Sequence, residues 1–228
     1  ISRLFKSFKS APAAEATKPQ QSTLELFRRD DVNGRLLILG EPGAGKTNEL
    51  LTLAQELLQE ALESENQPIP VIFELSEWMN APDRGLADWL IQQLQEKYAI
   101  APHVTQQWVD ENRLLPMLDG LDELRRVDSE DDATPDELDR QRQARQIQCM
   151  RSINTILDVH PSMQMVVCCR RQEYEALEQQ GEKLTELQGA IYLQPLTDRQ
   201  IKDYFQQTNR LPLWESIVRQ PDLLELAR

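Results

Sequence analysis

Histidine and cysteine are scarce here. His103 and His160 are the two histidines of 228 residues, and Cys149, Cys168 and Cys169 the three cysteines. No CxxC pair occurs, so the sequence offers no zinc framework. Cys168 and Cys169 are adjacent, and neighbours on a strand point to opposite faces, which makes them poor disulfide partners. All three thiols read as core fillers in a reducing compartment. Long apolar runs are also missing; none approaches the roughly 18 residues that would cross a bilayer. Basic residues are outnumbered, 25 Lys and Arg against 38 Asp and Glu, for a net charge of −13. Such a surface lacks the Lys/Arg coat of general nucleic-acid binders, so no nucleic-acid partner is expected. A mononucleotide stays open, because backbone N–H groups and one lysine suffice to hold it. The first residue is Ile, not Met, and the chain reads as a piece of a longer protein. Its expected location is the cytoplasm, or the cytoplasmic face of a membrane if an adjoining segment carries an anchor.

What is present fits one sizeable α/β domain with a small appendage. Residues 1–21 are rich in Ala, Ser, Pro, Lys and Gln and read as a disordered linker. Within them Ile1, Leu4, Phe5 and Phe8 fall at helical spacing among Arg3, Lys6 and Lys9, which allows a short basic amphipathic turn as a second reading. The domain core is expected over 22–195, and the start of a C-terminal helical subdomain over 196–228. In the core, apolar runs alternate with amphipathic helices. The runs are Leu36–Leu39, Val71–Phe73, Leu114–Leu118, Met165–Cys169 and Ala190–Leu193. Helices are predicted behind the first run from Leu50 to Leu62, over Leu86–Tyr98, Val104–Glu111 and Pro135–Val159, and after a Thr197 N-cap. This alternation implies parallel pairing, right-handed crossovers and a sheet covered on both faces. Ligands of such sheets bind beyond the carboxyl ends of the strands. The acidic stretch Asp128–Asp139 reads as a solvated loop, and Trp78, Trp89, Trp108 and Trp214 as core or interface residues.

Three motifs fall at those strand ends. Gly40-Glu41-Pro42-Gly43-Ala44-Gly45-Lys46-Thr47 matches G-x-x-x-x-G-K-[ST], follows a strand and opens a helix. Its glycines permit close backbone approach to phosphate, Lys46 would reach the β- and γ-phosphates, and the Thr47 hydroxyl would ligate Mg²⁺. The second, LLPMLDGLDEL, is a strand ending in Asp119, which would hold Mg²⁺ mostly through water. Gly120 then breaks the strand, and Asp122 or Glu123 would orient the attacking water. A whole strand–helix unit lies between the two motifs. That predicts the five-stranded parallel sheet of the ATPase branch, order 5-1-4-3-2, in a three-layer α/β/α P-loop fold with a small helical segment after it. The third motif, VVCCRRQEY, ends an apolar strand in Arg170, a candidate γ-phosphate sensor, with Arg171 expected at the surface.

Together GEPGAGKT, the D-G-x-D-E extension and CCRRQEY resemble the NACHT family of STAND-type NTPases, particularly its bacterial members. PVIFELSEW, YLQPLTDRQIKDYF and LLELAR are softer matches, and the resemblance covers roughly residues 22–228. It implies an ATP/ADP switch that hydrolyses slowly. Lys46 and Thr47 would hold phosphate and Mg²⁺, Asp119 the metal, Asp122 and Glu123 would serve hydrolysis, and Arg170 would sense the γ-phosphate. It further implies self-association in the ATP state and effector and sensor domains on either flank. A small-molecule kinase would carry an Arg-rich lid where this chain is acidic, and a GTPase would need an N-K-x-D motif, which is absent. A pseudo-NTPase scaffold is the remaining alternative.

Overall fold

The computed structural model describes residues 3–8, 15–16, 21–80, 85–124, 134–195 and 197–220. The five apolar runs become parallel strands β3 (Arg35–Gly40), β4 (Ile69–Glu74), β5 (Leu114–Asp119), β6 (Met165–Arg170) and β7 (Gly189–Leu193). They lie side by side in the order β7-β3-β6-β5-β4. In order of the runs this is the expected 5-1-4-3-2.

Two further strands lengthen the sheet beyond β7. Strand β1 (Arg3–Ser7) pairs antiparallel with β7, and the short β2 (Glu15–Ala16) pairs with β1. The sheet is therefore mixed, and the linker expected over 1–21 is corrected where its residues are described. The helical spacing of Leu4, Phe5 and Phe8 loses to tertiary pairing. The open edge of β7 satisfies the backbone of β1, and Phe5 is buried where a Cβ on Gly189 would lie 3.1 Å from its ring. Pro70 sits in β4 at the opposite edge of the sheet, where a strand tolerates a residue without an N–H.

Alternation along each strand fills two cores. Leu36 and Ile38 face one side of the sheet with α1 (Thr23–Phe27) and α2 (Lys46–Glu63). Leu37 and Leu39 face the other side, under α3 (Leu86–Tyr98), α4 (Pro102–Asp110), α5 (Pro135–Val159) and α6 (Arg171–Gln179). Helix α2 buries Leu50, Leu53 and Leu57, each contributing about 2 kcal/mol. Its apolar arc is wider than the face it buries: Leu51 and Leu58 are half exposed and Leu62 is 76% exposed. Helix α5 opens with a capping box, Thr134 and Glu137 each bonding the other's backbone N–H. Thr197 does the same with Gln200 for α7 (Asp198–Gln207), which packs on α8 (Leu211–Val218) through Phe205 and Trp214. Half of the acidic stretch Asp128–Asp139, the LLELAR segment and Pro221 lie outside the described residues; the other half of the stretch, expected as a solvated loop, is the N-cap and first turn of α5. No helix among the described residues is long and apolar enough to cross a membrane.

Candidate functional site

The site gathers at the carboxyl ends of four neighbouring strands. Strand register places Gly40 beside Arg170 and Glu74 beside Asp119. Chain segments 45, 72 and 130 residues apart in sequence need no long arms to meet there.

The glycine loop follows β3. Gly43 and Gly45 have φ of 79° and 87°, which side-chain-bearing residues rarely adopt, and Gly45 caps the start of α2. Gly40 is required for a different reason. A Cβ there would lie 3.1 Å from the Cβ of Ala44 and 3.2 Å from that of Leu193. Lys46 folds back over its own loop, Nζ donating to the carbonyls of Gly40 at 3.0 Å and Glu41 at 3.2 Å. The same turn starts α2, so its first N–H groups point into the loop's concavity.

Thr47 leaves that turn and meets β5, its Oγ1 donating to Asp119 Oδ2 at 2.9 Å. A hydroxyl oxygen and a carboxylate oxygen from the two motifs thus share one spot. Two hard oxygens side by side, facing a phosphate loop, are the donor type that Mg²⁺ takes, so the residues fit the metal. Below them the Cys168 thiol is pushed well above its ordinary range by burial and by the Asp119 charge. A thiol held protonated there takes no part in ligation or attack.

Gly120, at φ 83°, turns the chain out of β5 and separates the fates of the next two acids. The Asp122 side chain is 3% exposed. Its Oδ1 accepts the backbone N–H of Arg170 at 2.8 Å, and its Oδ2 lies 2.7 Å from Arg170 Nε. Glu123 is 61% exposed, and its carboxylate reaches no closer than 4.0 Å to Arg170 Nη2. Arg170 itself is 38% exposed, with one flank tied down and the Nη end toward Glu123. Arg171 pairs with Glu175 at 2.7 Å and sits over the Tyr192 ring at 5.5 Å, at the surface as expected.

The fold brings Lys46, Thr47, Asp119, Asp122, Glu123 and Arg170 to one end of the sheet. Sequence reasoning missed two residues that support it. Glu49, in the first turn of α2, is buried and paired with Arg3 of β1 at 2.6 Å, and it also accepts the Thr23 hydroxyl. Glu74 ends β4 beside Asp119. The signal for Glu74 was legible, an acid closing an apolar run. That for Glu49 was not, because its partner lies 46 residues away.

The family model of the NACHT domain matches residues 35–211. That span runs from the first residue of β3 to the first of α8. No curated protein matches the chain.

Proposed function

The chain belongs to the NACHT domain family, hence to the nucleotide-binding P-loop NTPases, and from that premise we propose that it binds ATP and hydrolyses it slowly as a signalling switch. The observation that carries this reading is the 2.9 Å bond from Thr47 to Asp119. It joins the phosphate loop to the acid-ended strand, which supports a shared site for a triphosphate and its metal.

On this reading the loop N–H groups and Lys46 cradle the phosphates, and Thr47 and Asp119 hold Mg²⁺. When bound, the metal supplies charge neutralisation for the β- and γ-oxygens. Lys46 exchanges its two loop carbonyls for phosphate oxygens, and Arg170 adds positive charge on the γ side. Glu123, exposed and lightly held, orients the attacking water. Little covalent work falls to the protein; position and electrostatics supply the rate. Loss of the γ-phosphate removes the partner of Arg170, and the change at that strand end is the switch. In the triphosphate state copies of the larger protein would associate. The half-exposed Tyr204, Leu213 and Val218 of α7 and α8 offer apolar surface for such contacts.

Single-turnover hydrolysis of radiolabelled ATP, with Glu123→Gln for comparison, tests the enzyme. The wild type is expected to release phosphate, and the variant to bind ATP within about twofold but turn over roughly a hundredfold or more slowly, the scale of a lost general base. A wild type that binds and never hydrolyses would leave a nucleotide-binding scaffold.

A further inference from the structure

The two acids after Gly120 are chemically alike and adjacent, yet the fold treats them in opposite ways. Asp122 is enclosed, with both oxygens committed to Arg170: one takes the backbone N–H at 2.8 Å and the other lies 2.7 Å from Nε. Glu123 stands in solvent and reaches Arg170 only at 4.0 Å. A group that orients water needs an open face, and Asp122, at 3% side-chain exposure, has none. A group that aims an arginine needs two fixed points on it, one on the main chain and one on the guanidinium, and Asp122 has both.

Resting on the reading of Arg170 as the γ-phosphate sensor, we propose that Asp122 is a positioning residue: it fixes Arg170 at the end of β6 and thereby sets discrimination between triphosphate and diphosphate. The backbone bond locks the end of β6 to the turn that follows β5, so the arginine's Cα cannot drift from the phosphate loop. The contact at Nε fixes the inner edge of the guanidinium. Among the described residues the Nη nitrogens make no hydrogen bond, and they are the ones left for a phosphate oxygen. A guanidinium held this way loses little side-chain freedom on meeting the γ-phosphate, and preorganisation of that kind raises affinity selectively for the ligand that carries the group. Bound diphosphate offers no such partner, so Asp122 contributes nothing to its affinity. Glu123 is left as the acid that acts on water.

The test is titration calorimetry on the full chain with Mg²⁺ and either the β,γ-imido analogue of ATP or ADP. The proteins are wild type, Asp122→Asn, Arg170→Ala and the double variant, each first checked for a native melting transition. Arg170→Ala is expected to abolish the preference for triphosphate. Asp122→Asn is expected to lower triphosphate affinity roughly tenfold, the scale of one loosened charge-assisted hydrogen bond, and to leave ADP affinity within about twofold. The double variant should match Arg170→Ala alone, because Asp122 acts only through that side chain. At saturating ATP, Asp122→Asn should slow single turnover by no more than Arg170→Ala does, because it acts through that side chain, whereas Glu123→Gln should slow it further than either. If Asp122→Asn does not fold, Asp122→Glu replaces it, retaining the charge while displacing the carboxylate by one methylene. A fall in triphosphate preference is again expected.

An unchanged triphosphate-to-diphosphate ratio in the Asp122 variant, with that ratio collapsed in Arg170→Ala, overturns the proposal and leaves the sensor standing. A ratio unchanged in Arg170→Ala overturns both. Turnover lost at saturating ATP in Asp122→Asn, with affinities intact, makes Asp122 the water-orienting acid and overturns the proposal in a third way.

Discussion

Lys46 donates to two carbonyls of its own loop, and Thr47 to a carboxylate across the sheet. Each bond lies where a phosphate oxygen or a metal would compete for the same donor or acceptor. Thr47→Ala removes one of the two oxygens without touching the phosphate-cradling N–H groups. Affinity for ATP in excess chelator should stay near wild type, while the gain produced by adding Mg²⁺ should shrink roughly tenfold, the value of one charge-assisted contact. Calorimetry with and without chelator reads this directly, and an undiminished magnesium gain removes Thr47 from the metal site. Most of this residue-level chemistry was legible in the sequence. A glycine loop, an acid at a strand end and an arginine at the next strand end are local patterns, and local patterns are written in consecutive residues. The different burial of Asp122 and Glu123 was not. It depends on which acid the turn at Gly120 points inward, and on an arginine 48 residues later.

At the scale of elements, the sheet order followed from where the extra strand–helix unit fell, and α3 and α5 begin and end as their apolar periodicity and their proline and cap signals predict. Two helices escaped. Helix α1 is five residues long, too short for a period to show, and α6 follows Arg170 without a break and carries only Tyr174 and Leu177 as buried residues. Strand β1 escaped for a different reason: its pattern is ambiguous alone, and only the edge of β7 decides it. Its attachment is specific. Arg3 pairs with Glu49 at 2.6 Å, and Glu49, with a 4% exposed side chain, sits in the first turn of the helix that bears the phosphate loop. Removing one partner of a buried pair leaves an uncompensated charge. Arg3→Ala should therefore lower unfolding free energy by about 3 kcal/mol, measured by urea denaturation. The double change Arg3→Met with Glu49→Gln should recover much of that loss. A single variant as stable as wild type would show that β1 does not brace α2.

Across the whole molecule, the chemistry sits at one end of the sheet and a buried cation fastens the other. Arg35, the first residue of β3, is 4% exposed and donates to the carbonyls of Leu157, His160, Pro161 and Met163 at 2.8–3.1 Å, and to Glu186 at 3.4 Å. It satisfies the end of α5 and ties that helix to the amino end of the central strand. Burial lowers its pKa, and the Glu186 charge partly offsets that. Arg35→Met should destabilise the fold by about 3 kcal/mol or more, since each stranded buried carbonyl costs about 1–3 kcal/mol. ATP affinity of the fraction still folded should be unchanged, because the loop lies at the opposite end of β3. Thermal unfolding with and without nucleotide measures both, and a variant of native stability would contradict the bracing role. The central claim, that this domain holds a magnesium nucleotide between its glycine loop and the acid of β5, is tested most directly by titrating the full chain with Mg-ATP, Mg-ADP and Mg-GTP beside Lys46→Ala. The account predicts saturable, adenine-selective binding that the variant weakens by about 1.5–3 kcal/mol, or roughly one to two decades in affinity. No binding by a folded wild type, or equal affinity in wild type and Lys46→Ala, would contradict it.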